Sequence, residues 1–272
     1  AALVLTGAAA RAEPAGPAPQ RVVSVNLCTD QLALMLAAPG QLVSVSKLSH
    51  DADSSSMAAA ARAYPTNGSG AEEVYLLHPD LVLAGTFTSA ATVQMLRDLG
   101  VRVEQFAPAT SLAEVPERIA QMGRALGREA EAAQMIARFR ADLAELSRPP
   151  ARRPRAALYY VNGYSVGDRT LAGDILRAGG FDNIATEAGV QFGGTLPLEQ
   201  LILLAPEVIV EGKDYPGQAR AEEVLRHPAL RALSGTRVAG TLTDRDWICG
   251  TPMVLSAVEK MRDLRLSLEG GK

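Results

Sequence analysis

The chain has 272 residues, 47% of them hydrophobic and 21% charged, which suits one large domain or two smaller lobes around ordinary cores. With 27 basic side chains against 30 acidic ones the formal net charge is −3. That excludes a basic field able to hold nucleic acid or an anionic lipid surface.

Ala1 to Ala10 is almost wholly apolar and carries no charge, and Ala10-Arg11-Ala12 follows with small residues at both ends. This pattern predicts the end of a secretory signal peptide over 1–12, with a mature start at Glu13; the other reading is a plain Ala-rich terminus. The run is too short to span a bilayer, and no cysteine stands near the cleavage point to take a lipid anchor. Export implies the periplasm, where disulfides form. Residues 13–20, rich in Pro, Ala and Gly, predict a disordered leader. Order is then expected from Arg21. Val22-Val23-Ser24-Val25 predicts a strand, and Thr29 or Asp30 is a cap candidate for a helix through Leu32 and Leu36 that Pro39-Gly40 stops. Leu42–Val45 predicts a second strand. Strands alternating with helices point to an α/β fold with mainly parallel sheets.

An internal repeat follows. Glu72-Glu73-Val74-Tyr75-Leu76-Leu77-His78-Pro79-Asp80-Leu81-Val82-Leu83-Ala84-Gly85 matches the run Glu199–Gly212 at a constant offset of 127. Each copy predicts a short helix, a Pro that ends it, and a strand that closes on Gly. Each also lies a similar distance after an opening strand, Arg21–Val25 or Ala156–Val161. The chain therefore divides into an N-terminal lobe over 21–127 and a C-terminal lobe over 155–268. Between them, Glu114–Leu126 has a helical pattern. A longer one over 128–147 aligns Ala132, Ile136, Phe139, Leu143 and Leu146 on one face before Pro149-Pro150 and Pro154. A single long helix joining two lobes predicts limited opening and closing; the other reading is a surface helix followed by a mobile linker.

Arg21–Asn26, the two repeat units, the run from Leu171 to Asn183 and the pair Asp246-Trp247 together resemble a known family across residues 21–268. It is the helical-backbone class of periplasmic binding proteins of ABC importers, which take cobalamin, iron-siderophores or haem, and the resemblance is nearest to the cobalamin-binding member. The resemblance implies two Rossmann-like lobes, one long connecting helix, and a metal chelate or corrinoid held between the lobes. It also implies a monomer without a membrane anchor or resident cofactor, delivering its cargo to a permease with its ATPase. It further implies one docking glutamate per lobe. By position these are Glu72 and Glu199, with Glu73 as a rival; a first-turn acid favoured by the helix dipole is the plainer explanation of each.

Several residue groups remain open to more than one chemistry. Cys28 and Cys249 are the only cysteines, and the resemblance puts both beside the cleft from opposite lobes. They could form a disulfide, stand as two free cleft thiols toward a soft metal, or be unrelated buried thiols; the cobalamin-binding member lacks the pair. Trp247, the sole Trp, and Tyr164 are candidate ligand contacts, with Tyr64, Tyr160, Phe192 and Tyr215 as further aromatics in loops or strand ends. Arg245 and Asp246 are candidates too: Arg245 could meet a ligand carboxylate or form a surface ion pair. His50-Asp51-Ala52-Asp53 offers metal-type ligands on one short loop, which more simply is a solvated turn. Gly163-Tyr164-Ser165-Val166-Gly167 matches a nucleophile elbow. A serine hydrolase using Ser165, with His227 the only downstream histidine, is therefore an alternative, as is a non-transport sensor or adaptor of the same fold.

Overall fold

A computed structural model describes residues 17–212, 227–231 and 236–269. The first sheet has five strands, β1 (Val22–Ser24), β2 (Leu42–Ser46), β3 (Thr66–Asn67), β4 (Leu81–Gly85) and β5 (Arg102–Phe106), in the order β3-β2-β1-β4-β5 and all parallel. The described part of the second sheet has six: β6 (Arg155–Tyr159), β7 (Tyr164–Val166), β8 (Asp182–Asn183), β9 (Gly193–Thr195), β10 (Val208–Glu211) and β11 (Arg237–Thr241). Its order is β11-β10-β6-β7-β9, with β8 also paired to β6. Here β7 runs antiparallel to β6 and β9, while β10 pairs parallel with β6 and β11 and β8 parallel with β6; the second sheet is thus mainly parallel, as the sequence suggested, with β7 reversed.

The helices of the first lobe are α1 (Leu27–Leu36), α2 (Ala58–Ala61), α3 (Ala71–Tyr75), α4 (Ala90–Asp98) and α5 (Val115–Leu126). Then comes α6 (Glu129–Leu146). The second lobe holds α7 (Leu171–Ala178), α8 (Ile184–Glu187), α9 (Leu198–Leu204), α10 (Pro228–Arg231), α11 (Asp244–Trp247) and α12 (Val254–Glu269). Helix α1 begins earlier than the cap candidates suggested. Asn26 is its cap and accepts from the N–H groups of Cys28 and Thr29, leaving Thr29 and Asp30 inside the first turn. The chain is also ordered ahead of Arg21: Pro19 O accepts from Gln41 Nε2 at 2.8 Å, and Gln20 N donates to Asp80 at 2.6 Å.

Period-2 alternation divides the central strands β1, β4, β6 and β10 between two cores each. Val22, Leu81 and Leu83 of the first sheet, and Ala156, Leu158, Val208 and Val210 of the second, belong to one continuous core. Between the two sheets that core is filled by α1, α5, α6, α7 and α12, including Ala132 and Phe139 of α6, with Ile136, Leu143 and Leu146 packed against it. The opposite strand faces bury Val23, Val82 and Ala84 under α3 and α4, and Ala157, Tyr159 and Ile209 beneath Ile184 of α8 and Leu201 of α9. The 18-residue α6 covers about 27 Å and backs onto both lobes, leaving the carboxyl ends of the strands to form the gap between them.

Candidate functional site

Open α/β sheets offer ligands the crevice beyond the carboxyl ends of their strands. A cavity of ≈ 570 Å³ lies there, inside the range of about 300–1,000 Å³ usual for small-molecule sites. All five strands of the first sheet end on it, through Asn26, Lys47, Asn67, Phe87 and Phe106, while Ile248 and Gly250 close it from the second lobe. Most of the wall is apolar. Two cations stand in it, Lys47 and Arg118. Arg118 bonds Gln121 Oε1 at 3.2 Å and Glu117 at 3.4 Å, but its buried Nε has no partner among the described residues.

The expected contacts Tyr164 and Trp247 are not among the residues lining this cavity; with Tyr160 they form an aromatic group of the second lobe at the carboxyl end of β6, adjacent in sequence to the lining Ile248. The Tyr160 ring lies 6.3 Å from Tyr164 and 6.2 Å from Trp247. Two glycines make room for it: a Cβ on Gly212 would fall 2.5 Å from the Tyr160 ring, and one on Gly193 only 1.9 Å from the Tyr164 hydroxyl. Burial pushes the Tyr160 hydroxyl up from its ordinary range, helped by the nearby Asp244, so it stays a neutral donor. Neither it nor Trp247 Nε1 finds a partner among the described residues.

Cys28 and Cys249 form a disulfide, with Cα atoms 5.0 Å apart. The bond joins the start of α1 to the segment after α11 across the gap, so neither sulfur is a free thiol for a metal. Cys28 borders the cavity and Cys249 is buried. Other groups cross nearby: Ser56 Oγ donates to Arg245 O at 2.7 Å, and Arg245 Nη1 reaches Ala52 O at 3.4 Å. Arg245 thus serves the lobe contact. It does not pair with Asp246, whose carboxylate turns inward to Lys260 at 2.6 Å and to the N–H and hydroxyl of Thr243.

The remaining sequence candidates separate. Ser165 is fully buried in β7 and donates to Leu158 O at 2.6 Å; a strand residue bonded inward cannot act as an elbow nucleophile, because the elbow exposes its hydroxyl on a strand-to-helix turn. His50 Nε2 lies 3.0 Å from Ala61 O, and Asp51 accepts from Asp53 N and Ser54 within its own turn. Among the described residues no group of three or more His, Cys, Asp or Glu is placed to hold a metal ion. Phe192 stacks under Arg169 at 4.4 Å, and Tyr64 packs against the main core. Tyr215 and residues 1–12 lie outside the described residues. Glu72 and Glu199 are both exposed, on α3 and α9. Glu73 is occupied, accepting from Gly68 N at 2.7 Å.

The fold, the gap between the lobes and the matched repeats meet in one known family. Residues 22–239 match the periplasmic binding proteins. This chain belongs to that family. A curated relative, the cobalamin-binding protein of Halobacterium salinarum, is 31% identical over 199 residues, covering 71% of this chain and 54% of the relative. The chain thus spans about half the length of the curated relatives it matches. Among solved structures, the periplasmic haem-binding protein HutB of Vibrio cholerae has a TM-score of 0.75 at 20% identity, over 90% of this chain and 98% of that one. The haem-binding protein RhuT of Roseiflexus sp. RS-1 has a TM-score of 0.70 at 20% identity over the same shares. These structures share the fold. Among the described residues, no helix is long and apolar enough to cross a membrane.

Lys47, Phe87, Asn67 and Arg118 escaped the sequence reading. For the first three a signal was present: Lys47 directly follows β2, Asn67 ends β3 and Phe87 lies two residues past β4, and the carboxyl ends of strands are where open α/β sheets hold ligands. Arg118 gave none, because it reaches the cavity from α5.

Proposed function

We propose that this chain is the substrate-binding protein of an ABC importer, capturing an iron-siderophore, haem or cobalamin-like metal chelate between its lobes in the periplasm and delivering it to a membrane permease. The observation that carries this reading is the inter-lobe cavity: largely apolar, enclosed by strand ends of one lobe and the Ile248–Gly250 edge of the other. A bulky chelate suits the apolar wall, and an anionic edge on it suits Lys47 and Arg118. The curated cobalamin-binding relative and the haem-binding structural neighbours support the chelate class. Glu72 and Glu199 would dock the protein on its permease as a monomer, one carboxylate per lobe. The engagement of Glu73 with Gly68 favours Glu72 over its neighbour.

Titration of the protein with haemin, cyanocobalamin and a ferric hydroxamate, followed by quenching of Trp247 and by native mass spectrometry, tests the proposal. One of the three should bind at 1:1. Lys47→Ala combined with Arg118→Ala should weaken it by about tenfold or more, as loss of charge-assisted contacts predicts. Absence of 1:1 binding for all three, with no chelate on protein purified from its own periplasm, would refute the assignment.

A further inference from the structure

Both lobes repeat one constellation on their outer faces, and it carries an apolar side chain as well as a carboxylate. Residues offset by 127 share backbone and contacts. His78 and Ala205, ahead of Pro79 and Pro206, both take positive φ, 50° and 44°. Arg21 Nη2 donates to Leu77 O at 2.8 Å, and Arg155 Nη2 donates to Leu204 O at 2.9 Å. The N–H of Arg21 donates to Asp80 at 3.0 Å, and that of Arg155 to Glu207 at 3.1 Å. Leu81 opens the pairing of β4 with β1, as Val208 opens that of β10 with β6. Equivalent clamps therefore hold α3 and α9, and the two helices present equivalent faces.

On those faces Glu72 stands four residues before Leu76, and Glu199 four before Leu203, a spacing that puts each pair on one side of its helix. Leu76 is 72% exposed and Leu203 83%. Their inward neighbours Val74 and Leu201 are fully buried, so both helices are seated normally and the leucines are not displaced core residues. A single exposed leucine needs no explanation. Here the same exposure recurs at two matched positions, beside two carboxylates that have no hydrogen-bond or ion-pair partner among the described residues.

We propose that Glu72–Leu76 and Glu199–Leu203 form two equivalent docking points for one partner, a permease with two-fold symmetry whose two seats each combine a cation with an apolar recess. The proposal rests on the importer reading above and adds the leucines to it. The carboxylates would set register and speed encounter, and the leucines would slow dissociation through buried apolar area. Two matched points on a pseudo-symmetric protein fit two matched seats on a symmetric one.

The test uses the full chain and the permease–ATPase complex of the same organism in nanodiscs, with docking measured by biolayer interferometry at low and high salt. Leu76→Ser and Leu203→Ser should each weaken docking by about tenfold, the worth of one buried leucine, and leave its salt dependence intact. Glu72→Gln with Glu199→Gln should flatten the salt dependence. Leu266→Ser, an exposed leucine of α12, should change nothing, and all variants should keep the wild-type melting temperature because these side chains are exposed. Leucine variants that dock like wild type, while the glutamine variants lose salt dependence, would overturn the inference and leave the importer reading standing. An effect from only one of the two leucines would overturn the two-point form. Wild-type protein that fails to dock at either salt would overturn the importer reading along with it.

Discussion

Asp246 and Asp30 are two buried carboxyls with opposite electrostatics. Burial alone would raise the Asp246 carboxyl, but the Lys260 ammonium and the two Thr243 donors outweigh it and hold it below the usual carboxylate range. Burial dominates at Asp30 and pushes it above that range, despite hydrogen bonds from Ser24, Ser46 and Ser49. A carboxyl depressed in the folded state stabilises it above the unfolded carboxylate pKa, and that stability is lost as pH falls through the lower folded value. A raised one works the other way, its folded form gaining stability as pH falls. Asp246→Asn is therefore expected to destabilise the protein by about 1–3 kcal/mol at pH 7, the worth of hydrogen bonds to a buried charge. The deficit should shrink at pH 3, as read from urea midpoints at the two pH values; a deficit that is equal at both would disprove the charged role. Neither role was legible in the sequence. Lys260 lies 14 residues beyond Asp246 on another helix, and Ser46 and Ser49 reach Asp30 from the far end of β2, so only the fold brings them together.

The repeat and the long helix were legible because each is a local pattern. The offset of 127 needs no tertiary information, and the observed elements fall where it put them, α3 with β4 and α9 with β10. The apolar face of α6 was likewise written at helical spacing. Unwritten was the consequence that its Phe139 belongs to a core containing strands of both sheets. Two lobes on one core should not unfold separately. Phe139→Ala is expected to destabilise by about 3–5 kcal/mol, as for other buried aromatics cut to Ala, and calorimetry should still show one cooperative transition. Two resolved transitions, in wild type or variant, would show that the lobes have independent cores. The antiparallel β7 was missed for a related reason. Its three residues sit between Gly163 and Gly167, a context that reads equally as a loop, and the pairing partner β9 is itself the glycine-rich Gly193–Thr195.

At the scale of the molecule the lobes are joined at the back by α6 and the shared core, and at the mouth of the gap by Cys28–Cys249. Sequence could place both cysteines beside the gap through the resemblance, but their distance depends on how the lobes face each other, which no local pattern encodes. The bond links residues 221 apart, and loop-closure scaling would assign such a link about 5 kcal/mol. Because α6 and the shared core already hold the lobes together, a smaller value of about 2–4 kcal/mol is expected, and with it a fall in melting temperature of about 4–16 °C on reduction. The mechanical consequence is the sharper test. With the bond intact, a stiff helix at one end and a covalent tie at the other leave little room for rotation, so small-angle scattering should give indistinguishable radii of gyration with and without bound chelate. With the bond removed by reduction or by Cys28→Ser with Cys249→Ser, α6 and the shared core still hold the back, while the Ser56–Arg245, Ala52–Arg245 and Thr251–Gln31 hydrogen bonds remain between the lobes on the side of the gap. The free protein should then expand while the chelate-bound form keeps its size, and affinity should fall because binding must now close the gap. Free protein whose scattering is the same with and without the bond would show that α6 and the shared core alone set the opening, and that the disulfide stabilises the fold without restraining its motion.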